Sequence, residues 1–149
     1  MIVPDIVKMK GGTVYSIAPQ GEVADAVSMM VRKDIGSLVV LDGTRLAGML
    51  TFREVLNALE AHQGSLSGLK VEDIMLGNPV CGSPEDSLES LRELMNKDHI
   101  RYLAVKEGEQ LLGVISFHDV ANAVIKEVTL HNRMMETYIK NWPEEEPTK

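Results

Sequence analysis

The sequence predicts an α+β fold of two β-α-β-β-α repeats, packed through their sheets and followed by a C-terminal helical extension. Three observations predict it. The phrase GMLTFREVLNAL at 48–59 is written again as GVISFHDVANAV at 113–124. Strand and helix periods follow each other in the same order in both copies. One copy spans roughly 60 residues or fewer, too few to bury much apolar surface alone, so two must share a core.

Shifted by 65 residues, the chain matches itself without a gap. Pro19 falls on Pro84, Met30 on Met95, Ile35 on Ile100, Leu38 on Leu103, Val40 on Val105 and Gly43 on Gly108. Leu46, Gly48, Phe52, Val55, Asn57 and Ala58 fall on Leu111, Gly113, Phe117, Val120, Asn122 and Ala123. A weaker echo precedes this: VPDIV at 3–7 resembles VEDIM at 71–75, so each copy opens with a short lead-in.

Within a copy the elements follow from local pattern. TVYSI at 13–17 alternates and is β-branched, a short strand. Over 22–33, Val23, Ala26, Val27 and Met30 share one helical face, as Leu88, Leu91, Leu94 and Met95 do in the second copy. SLVVL at 37–41, the turn signal Asp42-Gly43 and LAGML at 46–50 form a hairpin, repeated by YLAVK, EGEQ and LLGVI. A second helix starts at Thr51 or Ser116. Residues 62–70, HQGSLSGLK, read as the connection. The helical pattern continues over 125–142 with Val128, Met134, Met135, Tyr138, Ile139 and Trp142, apolar surface that implies docking onto this chain or a second copy. The tail NWPEEEPTK reads as disordered. The divisions are 1–68, 69–127 and 128–149.

Bulk properties narrow the function. Of 149 residues, 44% are hydrophobic and 25% charged, which suits a soluble globular chain. A net charge of −7 argues against non-specific binding to nucleic acid or an anionic membrane. The single cysteine, Cys81, excludes an internal disulfide and fits a reducing compartment. No stretch reads as a signal peptide or approaches the ~20 apolar residues of a membrane span. A cytoplasmic protein is expected.

The doubled phrase carries the chemistry, and it reads in two ways. As local structure, Ser116 with Asp119 and Thr51 with Glu54 are capping boxes. As a site, a helix N-terminus offers free N–H groups and a positive dipole end to a phosphate. The cap hydroxyl then binds a phosphate oxygen, Arg53 or His118 adds charge, and the carboxylate one turn in takes the hydroxyls of a ribose.

The doubled G-h-h-[ST]-x-x-[DE] phrase after a hairpin, the segments KDIGSLVVLDG and DHIRYLAVKEG, and the VEDIM lead-in resemble a tandem pair of CBS domains, the Bateman module, over roughly residues 3–140. The chain resembles stand-alone bacterial CBS pairs with a C-terminal helical extension in particular. The resemblance implies two repeats related by a pseudo-twofold axis, a homodimer, and adenosine ligands such as AMP, ADP, ATP, NAD(H) or S-adenosylmethionine in clefts between the repeats. Carried over by residue, one site takes Ser116, His118 and Asp119, with the strand Arg101, Tyr102 and Leu103 against the base and Val80 and Cys81 beside it. The other takes Thr51, Arg53 and Glu54, with Val14, Tyr15, Gly36 and Ser37 near the base. The chain departs from the family pattern at Glu54, where Asp is usual, at His118, a weaker phosphate partner than arginine, and at Val39 and Ala104, where many members carry proline.

Other chemistry is thin. His62, His99, His118 and His131 form no HxH, HExxH or Cys/His pattern, so no metal site is expected. Cys81 reads as a small buried thiol rather than a nucleophile. There is no P-loop and no GxGxxG. The expectation is a non-enzymatic regulatory module for an adenosine nucleotide, without a catalytic cofactor and acting on a regulated protein the sequence does not name. The alternative is a ligand-free structural or protein-interaction dimer whose two phrases are only helix caps.

Overall fold

The computed structural model describes residues 3–9 and 13–141. The elements run α1 (Val3–Met9), β1 (Ser16–Ile17), α2 (Val23–Lys33), β2 (Ser37–Asp42), β3 (Arg45–Thr51) and α3 (Phe52–Ala61). After the connection come α4 (Val71–Ile74), β4 (Leu76–Gly77), β5 (Cys81–Gly82), α5 (Leu88–Lys97), β6 (Tyr102–Glu107), β7 (Gln110–Ser116) and α6 (Phe117–Lys140). Each repeat is β-α-β-β-α as expected. The first strand is shorter than the pattern TVYSI suggested, and β4 was not anticipated. The eight C-terminal residues of the tail lie outside the described residues.

Two sheets result, β1-β2-β3-β4 and β5-β6-β7. In each, the first strand runs parallel to the second, and the second and third form the hairpin. Both hairpins shift register at the same place, between Val40 and Leu41 and between Val105 and Lys106. Both turn through a left-handed glycine, Gly43 at φ 64° and Gly108 at φ 59°, as the turn signal requires.

Alternation along the strands sorts side chains into three cores. Leu38, Val40 and Leu50 face α2 and α3 with Ala26, Met30 and Val55. Leu103, Val105 and Ile115 face α5 and α6 with Leu91, Met95 and Val120. The opposite strand faces meet each other: Val39 and Met49 pack with Ala104, Val14, Tyr102 and Val114, so the sheets join the repeats as expected.

The lead-ins do not pack where their place in the chain suggests. Val3 and Ile6 of α1 are buried in the core of the second repeat, with Val7 beside them against Gly113. Val71 of α4, with Ile74 and Met75, completes the core of the first, and β4 adds to its sheet beside β3. The division at 68/69 therefore separates chain segments that the fold interlocks. The division at 127/128 falls inside one continuous helix, α6.

Candidate functional site

Strands β3 and β7 each run straight into a helix, which fixes the position of the two doubled phrases. Thr51 and Ser116 are N-caps in extended conformation. The Thr51 N–H donates to Glu54 Oε1 at 2.8 Å, and the Thr51 hydroxyl accepts from the Arg53 N–H at 3.2 Å. The Ser116 N–H donates to Asp119 Oδ2 at 2.8 Å, and Ser116 Oγ accepts from the Asp119 N–H at 3.0 Å. Both phrases are thus capping boxes, and the Gly36 and Arg101 carbonyls take the Phe52 and Phe117 N–H groups, so what α3 and α6 turn toward the boundary between repeats is the positive end of a helix dipole with most of its first amides already bonded.

Two cavities lie on that boundary. The larger, about 970 Å³, has Val14, Tyr15, Ile35, Gly36 and Ser37 on one side and Ser116, Phe117 and His118 on the other. The Lys33 ammonium lies 5.8 Å from the centre of the Tyr15 ring, at the outer end of the cation–π range, beside the cavity edge. The Asn122 amide lies 3.2 Å from His118 Nδ1 and orients that ring one turn into α6. The smaller cavity, about 430 Å³, is lined by Thr51, Glu54, Leu56, Leu76 and Val80 among others. Arg53, His99, Ile100, Arg101 and Tyr102 line both. The Arg53 guanidinium donates to the His99 carbonyl at 3.5 Å, a hydrogen bond from one repeat to the other.

A family model for the CBS domain matches residues 9–61 and 71–126. The chain belongs to the CBS-domain family. It is 31% identical over 108 residues to the CBS domain-containing protein YhcV of Bacillus subtilis, covering 72% of this chain and 76% of that protein. The solved structure of a CBS-domain protein from Burkholderia ambifaria superposes with a TM-score of 0.79 at 32% identity, covering 85% of this chain and 95% of that one. The structure of CBSX2 of Arabidopsis thaliana in complex with AMP shares the fold, with a TM-score of 0.65 at 24% identity, over 76% of this chain and 89% of that chain.

Within this CBS pair the structure regroups the residues the sequence singled out. Val14, Tyr15, Gly36 and Ser37 of the first repeat face Ser116 and His118 of the second, while Thr51, Arg53 and Glu54 face Val80, Arg101 and Tyr102. Cavities are therefore built across repeats, not within one. Three residues line neither. Leu103 is fully buried on the α5 side, because strand alternation puts it opposite Tyr102 and Ala104. Cys81 packs between the sheets, its thiol 3.4 Å from the Pro79 carbonyl. Burial pushes that thiol above the ordinary cysteine range, partly offset by Lys106, which fits an inert thiol. Asp119 serves the Ser116 backbone.

The sequence reading missed Asp34 and His99. Both line the larger cavity, and both sit in the left-handed region, at φ 52° and 53°. They fall on each other under the 65-residue shift, and Asp and His tolerate that conformation better than most residues. That coincidence was the available signal. Among the described residues, no group of three or more His, Cys, Asp or Glu is placed to hold a metal ion. No helix among them is long and apolar enough to cross a membrane.

Proposed function

We propose that this CBS pair is a non-enzymatic regulatory module of the cytoplasm that binds an adenosine nucleotide, AMP, ATP or NAD(H), between its repeats and passes occupancy on through a homodimer. The observation that carries this reading is the larger cavity. It combines the amide end of a long helix, two arginines and an aromatic edge, and both repeats contribute to it. The phosphate lies at Ser116, where the helix dipole and Arg101 favour negative charge. The base lies against Tyr15 and the backbone of Gly36. Asp119 holds the Ser116 backbone in place. The AMP complex of a protein with the same fold supports the ligand class. Regulation follows because a ligand touching both repeats favours the arrangement it binds more tightly, and a protein partner reads that arrangement.

Isothermal titration with AMP, ATP and NAD(H) tests this. One of them is expected to bind, and Arg101→Ala to weaken it at least tenfold, in line with about 1.5–3 kcal/mol for a hydrogen bond to a charged group. Unchanged affinity in Arg101→Ala would remove the phosphate assignment.

A second reading has its own observation. The distal part of α6 carries Ile125, Val128, Leu130, Met134, Met135, Tyr138 and Ile139, all exposed. Under it the chain is an interaction module, and nucleotides leave its assembly unchanged.

A further inference from the structure

We propose that the two cavities compete for one pair of arginines, so that each chain accepts a single anionic nucleotide and leaves its smaller cavity to an uncharged ligand. This rests on the nucleotide reading above and adds its regulation. Arg53 and Arg101 line both cavities, and among the described residues no other lysine or arginine lines either. They come from different repeats, Arg53 from the first turn of α3 and Arg101 from just before β6. The bond from Arg53 to the His99 carbonyl holds its guanidinium at the wall between the cavities. A guanidinium paired bidentately with one phosphate has its charge matched and its best-aligned N–H pair occupied, so it offers a second phosphate a weaker contact.

The remaining charges decide which cavity wins. The larger adds His118 and a single carboxylate, Asp34. The smaller holds two carboxylates, Glu54 and Asp98, and no further histidine. The larger cavity is therefore the phosphate site. Once its ligand draws both arginines over, Glu54 and Asp98 in the lining of the smaller cavity repel a second phosphate. An uncharged nucleoside meets no such field and faces the apolar side chains of Leu56, Leu76 and Val80.

Calorimetric titration of the full chain with AMP, with adenosine, and with adenosine after AMP saturation tests this. The expected result is one AMP per chain, with further AMP at least tenfold weaker, about 1.4 kcal/mol. Adenosine is expected to bind the AMP-saturated chain, and Asp98→Asn to narrow the gap between first and second AMP. Two AMP of equal affinity per chain would overturn the competition and leave the nucleotide reading standing. Refusal of adenosine by the AMP-saturated chain, or a gap unchanged in Asp98→Asn, would overturn the assignment of the smaller cavity. Binding of neither AMP nor adenosine would overturn this proposal, and only silence from ATP and NAD(H) as well would overturn the nucleotide reading with it.

Discussion

Gly36 is buried where only a hydrogen fits. A Cβ there would overlap the hydroxyl of Tyr102 and come within 2.6 Å of its Cζ and 2.8 Å of Phe52 Cε2. The equivalent position in the second repeat is Arg101, and both carry the same backbone duty: the Gly36 carbonyl accepts from the Phe52 N–H and the Arg101 carbonyl from the Phe117 N–H. One repeat thus places a small residue where the other places a long cation, and Tyr102 crosses into the space. Gly36→Ala should cost about 1–3 kcal/mol, the usual cost of overpacking. In a Tyr102→Ala background that cost should fall by about 1 kcal/mol, because contacting residues are not additive. Chemical denaturation of the four proteins of this cycle measures it, and full additivity would mean the contact is not made. From sequence, Gly36 stood out only through family resemblance. Its physical role was not legible, since nothing in the local pattern tells that Tyr102 reaches it from the other repeat.

At the scale of elements, helix faces, hairpins and caps were legible because each is fixed by neighbours along the chain. Val23, Ala26 and Met30 face inward at helical spacing, and Thr51 and Ser116 cap as their motif requires. The lead-ins were not placed correctly by chain order. VPDIV and VEDIM are short apolar segments whose pattern says that they bury a face but not against what. The structure exchanges them, and that makes a test. Ile6 is 4% exposed in the core of the second repeat, so Ile6→Ala should cost about 2–5 kcal/mol. Hydrogen exchange should show the loss first in β6 and β7, far from Ile6 in sequence, with β2 and β3 less affected. Val71→Ala should loosen β2 and β3 instead, because Val71 lies in the first core. Loosening of β2 and β3 by Ile6→Ala would refute the exchange. The crossed lead-ins leave neither repeat with a complete core of its own, while the cavities lie across repeats where the sheets meet through Val39, Met49 and Ala104.

At the scale of the molecule, α6 raises the question of assembly. Its first turns are anchored by Val120 and Ala123, which are buried in the second core. Beyond Val124 every described residue is exposed. Ile125, Val128, Met135 and Ile139 form one apolar stripe and Leu130, Met134 and Tyr138 a second, while Lys126, Arg133 and Lys140 recur at seven-residue spacing on the polar side. An apolar arc this wide on an isolated helix is unstable in water, and most of its helicity must come from packing. The described residues leave this arc exposed, so the homodimer of the proposed function is its natural partner. Removal of 128–149 should leave the two repeats folded, since Val120, Ala123 and Val124 remain, while sedimentation shows the dimer lost or weakened at least tenfold. Thermal unfolding of the truncated chain then separates assembly from folding: a cooperative transition in a monomer assigns α6 to the interface. An unchanged dimer would place the interface elsewhere, and the exposed Phe52 and Leu56 of α3 would be the next face to substitute.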